Sequence, residues 1–309
     1  MNWNKLALCG AVAGSVAAVG CGGGMTNPDT GTGGGNDAAM MTMEPVSVTY
    51  IVDTITIPPS PTGAMMNITP GFNLDGKVSV EGGAGNCEDA IGDYNSPSGE
   101  TGIDNQLVGI LISTLMGFIS DLDVQATVEE QIASGSLLLA VQVNDIESFE
   151  NDPDGVTLDL FLVDPAGCAM SPCPPMGGAV SGGASWVRQA GMPLASGLSA
   201  TITDGVLNGG PVDLPLSFEA SGTSITLTIR DATVGGDISE TAMENGAIGG
   251  ELRIDDVVML AEMIMPGIGE TARGLLEMYG DLSPSTADPL VCDSISAGIA
   301  FTAVPGTVE

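Results

Sequence analysis

Apolar and polar residues alternate with a period of two along most of the chain from Val46 onward, the spacing of strands that bury one face. The run VSVTYIVDTITI, residues 46–57, places its apolar side chains at even positions first (Val46, Val48, Tyr50) and at odd positions later (Ile51, Ile55, Ile57). A change of phase within one strand predicts a bulge, or burial on both faces, near Tyr50. SLLLAVQV (136–143) and VTLDLFLV (156–163) predict two further strands, separated by the acidic turn ESFENDPDG. LSATI (198–202), LPLSFEA (214–220), SITLTIRDATV (224–234), ELRI (251–254) and SISAGIAFTAV (294–304) continue the pattern. The Ser-Gly pair inside FEASGTSIT lies between two alternating runs and predicts a hairpin.

Two stretches break the alternation. In residues 105–134, QLVGILISTLMGFIS is apolar almost all round, which predicts a helix at 106–119 that is buried under a sheet or lines an apolar ligand cavity. Asp104 or Asn105 stands where its N-cap would be. DVQATVEEQIASG follows, with Val124, Val128 and Ile132 four apart and Gly135 as its stop. A similar pair spans residues 256–280, Met-rich at 257–265 and interrupted at Met265-Pro266-Gly267. The pattern predicts a β-rich α+β domain over residues 46–309, an antiparallel β-sandwich or incomplete barrel with two helical hairpin insertions.

The first 45 residues read differently. Residues 1–5 carry one positive charge, Lys5, and residues 6–20 are small or apolar with no acid among them. Fifteen such residues fall short of the roughly 20 that span a bilayer, which suits a signal peptide. The run ends in Ala18-Val19-Gly20-Cys21, which resembles the lipobox of bacterial lipoproteins, although Ala18 stands where that family usually places Leu. The resemblance implies cleavage before Cys21, a diacylglyceryl group on its thiol and a fatty acyl chain such as palmitate on its new amine. Gly22 follows where the family's inner-membrane retention signal would be Asp, so the resemblance points to the outer membrane of the cell envelope. Residues 22–44, rich in Gly, Thr, Asn and Asp without a hydrophobic period, read as a flexible tether with a mean reach of roughly 25–30 Å. The layout is therefore a signal peptide (1–20), a lipidated cysteine with a Gly-rich linker (21–45) and one β-rich domain (46–309).

Charge narrows the partners. With 39 acidic against 6 basic residues the formal charge is −33. Such a surface repels phosphate backbones and anionic headgroups, so nucleic acid is not an expected partner and the membrane is reached through the acyl anchor. The chain has no histidine, which removes Ser-His-Asp and Cys-His catalysis and imidazole metal sites. Beyond the first segment the one lysine is Lys77, with no Ser-x-x-Lys before it.

Cys9 leaves with the signal and Cys21 is taken by lipid, so Cys87, Cys168, Cys173 and Cys292 remain. An even number in an exported chain predicts disulfides, with three connectivities open. CAMSPC makes Cys168–Cys173 a natural local loop, which would leave Cys87–Cys292 as a long-range tie.

EDAIGDYNSPSGETGID, residues 88–104, is the polar stretch richest in oxygen ligands. Asp93, Asn95 and Asp104 occupy positions one, three and twelve of a calcium-loop frame, but Pro97 at position five offers no side-chain ligand and the glycine comes one place late. The same residues also suit a polar loop leading into the next helix. Structural calcium is the one cofactor to which these residues point. Carboxylate neighbours such as Glu129 and Glu130 fall on a helix face, where solvation is expected. The functional expectation is a non-enzymatic envelope lipoprotein with a binding or structural role. The alternatives are a carrier of lipid or another apolar ligand, or a calcium-stabilised adhesion or surface module with a protein partner.

Overall fold

A computed structural model describes residues 44–58, 68–80, 82–83, 87–88, 91–107, 123–220 and 223–309, and residues 43–309 form one compact unit. The expected signal peptide, Cys21, the tether and most of the apolar helix at 106–119 lie outside the described residues. In chain order the elements are β1 (Val46–Thr56), β2 (Tyr94–Asn95), β3 (Thr101–Ile103), α1 (Val124–Ser134), β4 (Leu139–Ile146) and β5 (Asp152–Pro165). They continue with β6 (Ser185–Arg188), β7 (Ala195–Thr203), β8 (Val206–Ala220), β9 (Thr223–Ile238) and β10 (Met243–Arg253). The chain closes with α2 (Ile254–Ile264), α3 (Gly269–Tyr279), β11 (Leu282–Pro284) and β12 (Cys292–Val308).

Eight of the strands join edge to edge in a closed antiparallel barrel, in the order β1, β4, β5, β7, β8, β9, β10, β12 and back to β1. The β-rich α+β class expected from the sequence is what folds, but as a closed barrel rather than a sandwich or an incomplete one. The difference lies in β1. It pairs with β4 from Val46 to Ile51 and with β12 from Thr49 to Thr56, so the sheet returns on itself and leaves no edge there. The predicted change of phase in this strand is present: Tyr50, Ile51 and Val52 are all buried, and the register with β12 shifts between Val52 and Thr54.

Inward positions fill the barrel. Val156, Leu158 and Leu160 of β5, Leu198 and Ile202 of β7, Leu207 of β8 and Val234 of β9 are buried in one hydrophobic cluster. Eight strands enclose a space that side chains of this size fill. Between them the outward positions Thr157, Asp159, Ser199 and Thr201 are exposed or half-buried. This polarity is the reverse of a lipid-facing barrel, whose outward band is apolar. Among the described residues no helix is long and apolar enough to cross a membrane.

β6 closes one gap in the wall. It pairs antiparallel with β5 at Val163–Pro165 and parallel with the end of β12, beyond the points where β7 and β10 leave those strands. Its Trp186 is fully buried against Gly306, where a Cβ would come within 2.7 Å of the indole Cδ1. Arg188 of the same strand covers the outward ring of Phe161 at 3.7 Å from its centroid.

The helices follow their sequence signals. Asp123 caps α1 by accepting from the Ala126 N–H at 2.9 Å, and Gly135 ends it in the left-handed region, φ 85°. Glu129 and Glu130 are exposed on that helix. α2 and α3 form the second expected hairpin, broken at Met265, where Glu262 accepts from the Gly267 and Gly269 N–H groups at 2.7 Å each. Arg273 of α3 reaches Asp255 of α2 at 2.6 Å.

Cys87 pairs with Cys292, Cα–Cα 5.5 Å, and Cys168 with Cys173, 6.2 Å, the connectivity favoured by the spacing. The first bridge spans 205 residues and the second five. By loop-closure entropy, Cys87→Ala/Cys292→Ala should lose up to about 5 kcal/mol of stability and Cys168→Ala/Cys173→Ala about 2 kcal/mol. Guanidinium melts of the two double variants measure the difference; equal losses would mean that chain entropy is not what the long bridge contributes.

Candidate functional site

One stretch of the outer wall is built from small residues. By register, Thr233 and Gly235 of β9, Ala247 and Gly249 of β10, and Gly298 and Ala300 of β12 share the outward face, because Val234, Ile248 and Ile299 occupy the inward one. Residues 68–80 and 91–107 lie across this face as an arm. The Phe72 ring rests on Gly249, where a Cβ would stand 2.8 Å from its Cδ2, and on Gly235, where one would stand 3.3 Å from its Cε1. Side chains larger than hydrogen at these two positions would lift the ring from the wall.

Asn105, fully buried, fastens the arm. Its carboxamide accepts from the Gly298 N–H at 2.9 Å, and its two Nδ2 hydrogens are shared among the Gly298 carbonyl at 3.1 Å, the Pro70 carbonyl at 2.8 Å and Thr69 Oγ1 at 3.1 Å. β1 leaves β12 at Ala300, so the Asn105 side chain takes the place of the next residue of a neighbouring strand. Farther along, the Gln106 N–H donates to Ser296 Oγ at 2.8 Å, and Asp281 accepts from both the N–H and the hydroxyl of Ser296. β11 then pairs with Ser294 and Cys292. The described bonds of the Asp104 and Asn105 side chains run within the arm and to β12; the helix that one of them is expected to cap lies mostly outside the described residues.

Two of these acids are buried beside one another's field. Asp104 is 3% exposed and accepts from the Leu74 N–H at 2.6 Å and the Asp75 N–H at 3.3 Å. Burial nevertheless pushes its carboxyl up to about 8; the Leu74 hydrogen bond opposes the rise, and the charges of Asp281, Asp75 and Asp93 add to it. Burial likewise pushes Asp281 up to about 7, against its bonds from Ser296 and with the help of Asp93. Tyr94 is also raised, by burial first and by Asp281 second.

The structure therefore brings Asp93 and Asp104 of the calcium-loop frame within electrostatic reach, together with Asp281, which no local spacing marks. The Asp93 carboxylate accepts from the Ser79 N–H. Asn95 sits in β2, where its backbone carbonyl accepts from the Thr69 N–H at 2.9 Å. Among the described residues no group of three or more Cys, Asp or Glu side chains converges as an ion's ligand shell would.

Beside the arm opens a cleft of about 910 Å³, walled on one side by residues 70–73 and 96–103 and on the other by β8, β9, β10 and β12. Carboxamides (Asn73, Asn208, Asn245), hydroxyls (Ser98, Thr233, Thr302) and the carboxylates of Glu100 and Asp237 line it, over a floor that includes Gly235. Asn245 is turned by a bulge between Glu244 and Ala247, with φ 49°, and its Nδ2 donates to Asp237 Oδ2 at 2.7 Å. No Lys or Arg is among the described residues that line it. Sequence reasoning missed this cleft, because the glycines of NGAIGG (245–250) count against strand, although the segment forms the middle of β10. No protein-family model, curated protein or solved structure matches the chain.

Two outcomes are expected. Asn105→Ala leaves the Gly298 peptide buried without its partners and should cost about 2–4 kcal/mol in a denaturant melt; a loss no larger than that of an exposed Asn→Ala change would deny it the fastening role. Asp104 and Asp281 hold protons more tightly folded than unfolded, so their contribution to stability is complete below about pH 4 and is lost as pH rises through 7 to 8. In an Asp104→Asn/Asp281→Asn variant the decline of melting temperature over that window should flatten, and an unchanged slope would assign the decline to other groups.

Proposed function

We propose that this chain is a lipid-anchored lipoprotein of the bacterial cell envelope, held in the outer membrane through Cys21, whose barrel domain has a non-enzymatic binding role. The observation that carries the reading is the polarity of the barrel. Its apolar residues point inward and fill it, while Thr157, Asp159, Ser199 and Thr201 point outward, so the domain is made to stand in water. A protein of this kind reaches a membrane through something other than its wall. The Ala18-Val19-Gly20-Cys21 run supplies the attachment, and the Gly-rich residues 22–44 supply the distance. Two cysteine pairs suit an oxidising compartment.

A lipid inside the barrel would meet Leu158, Leu160, Ile202 and Leu207, which fill it; the apolar helix at 106–119, on which the carrier alternative rests with the Met-rich helix at 257–265, lies mostly outside the described residues. For the calcium-stabilised alternative, Asp93 lies within electrostatic reach of Asp104, and the Asn95 backbone pairs with Thr69; the lining of the outer cleft favours binding there.

Expressed with its leader in a bacterial host, the wild-type chain should enter the detergent phase on Triton X-114 partition, and Cys21→Ser should move it to the aqueous phase. Retention of the variant with membranes would remove the anchor from the proposal.

A further inference from the structure

We infer that the cleft between the arm and the barrel wall binds a neutral oligosaccharide, an inference that rests on the binding role proposed above. Its volume, about 910 Å³, lies near the top of the usual range for small-ligand sites, about 300–1,000 Å³. Such sites for apolar ligands are lined mainly by hydrocarbon. This one sets carboxamides and hydroxyls, which both donate and accept as each hydroxyl of a sugar does, among apolar residues that include Phe72, Ile103, Val206 and Leu207.

Charge narrows the class further. An anionic ligand would enter a cleft with no basic side chain among its described residues, on a protein of formal charge −33. A cationic ligand would have two carboxylates to meet, Glu100 and Asp237, of which Asp237 is already engaged by Asn245. Hydroxyl and carboxamide side chains far outnumber these two. The neutral ligand is the one whose groups the lining matches.

Geometry favours the same class. The bulge at Asn245 and its bond to Asp237 fix two polar groups before any ligand arrives, which lowers the entropy lost on binding. The half-buried Phe72 ring, with Pro70 and Pro97, offers apolar surface to the C–H faces of a sugar.

The test applies the full-length protein, in a polyoxyethylene detergent free of sugar, to an array of neutral, uronate, sulfated and amine-bearing oligosaccharides, with hits titrated calorimetrically. Retention of neutral members, with affinity insensitive to salt, is expected. Asn208→Ala and Asn245→Gly, the second chosen because glycine keeps the positive φ, should each weaken that binding at least about tenfold, with unchanged melting curves. Retention of no neutral glycan, salt-sensitive retention of the amine-bearing ones alone, or neutral binding untouched by both substitutions would each overturn the inference. A neutral glycan that is bound and then cleaved would uphold the ligand class and remove the non-enzymatic role. Membrane partition of Cys21→Ser is unaffected by any of these results.

Discussion

The outer edge of β12 is the constraint on which the rest of the molecule depends. A strand of 17 residues presents a row of peptide groups on each side, and each group that leaves water must find a partner. On one side β10 supplies them from Ser294 to Ala303. On the other side no single strand is long enough. β1 covers Ala300 to Gly306, the Asn105 carboxamide covers Gly298, Asp281 covers Ser296, and β11 covers Ser294 and Cys292. Barrel closure, arm docking and the burial of two carboxylates are one solution to one hydrogen-bonding problem.

That solution explains why the wall beside it is made of glycine and alanine. An arm bound closely enough for Asn105 to reach a strand backbone cannot lie over side chains of ordinary size. Gly235, Gly249 and Gly298 remove them where Phe72 and Asn105 press in. The cleft is formed where the arm does not cover the wall. The polar residues that β8, β9 and β12 give to its lining follow from position, since Asn208, Thr233 and Thr302 are outward residues of a barrel whose inward face is apolar. The acids at 104 and 281 pay for the joint with raised proton affinity, which couples the arm to pH.

The local pattern in the chain reported the elements well where their chemistry is local. Period-2 alternation marked the strands that have one face in the core, Gly135 marked the end of α1, and Met265-Pro266-Gly267 marked the break between α2 and α3. The double burial at Tyr50 was legible because both faces of one strand carry apolar residues. NGAIGG was not legible as strand, because glycine is the residue that strand propensity counts against. The reason for glycine at 249 is the Phe72 ring, contributed from more than 170 residues earlier in the chain, while Gly246 makes room for the Phe301 ring and Gly250 for the Arg230 carbonyl.

By itself the sequence determined the β-rich class, a helical hairpin expected at 256–280 and found at 254–279, the acidic character, and a preference among three cysteine pairings set by a short Pro-containing loop. Tertiary structure alone decided that the sheet closes, that Asn105 serves as a piece of strand, that Asp281 joins Asp104, and that a cleft lies beside the arm. The physical reason is range. Hydrophobic period, capping and turn chemistry act between residues a few positions apart, whereas closure depends on register between β1 and β12, whose Asp53 and Thr302 hydrogen-bond across 249 positions. No local spacing records a partner that distant.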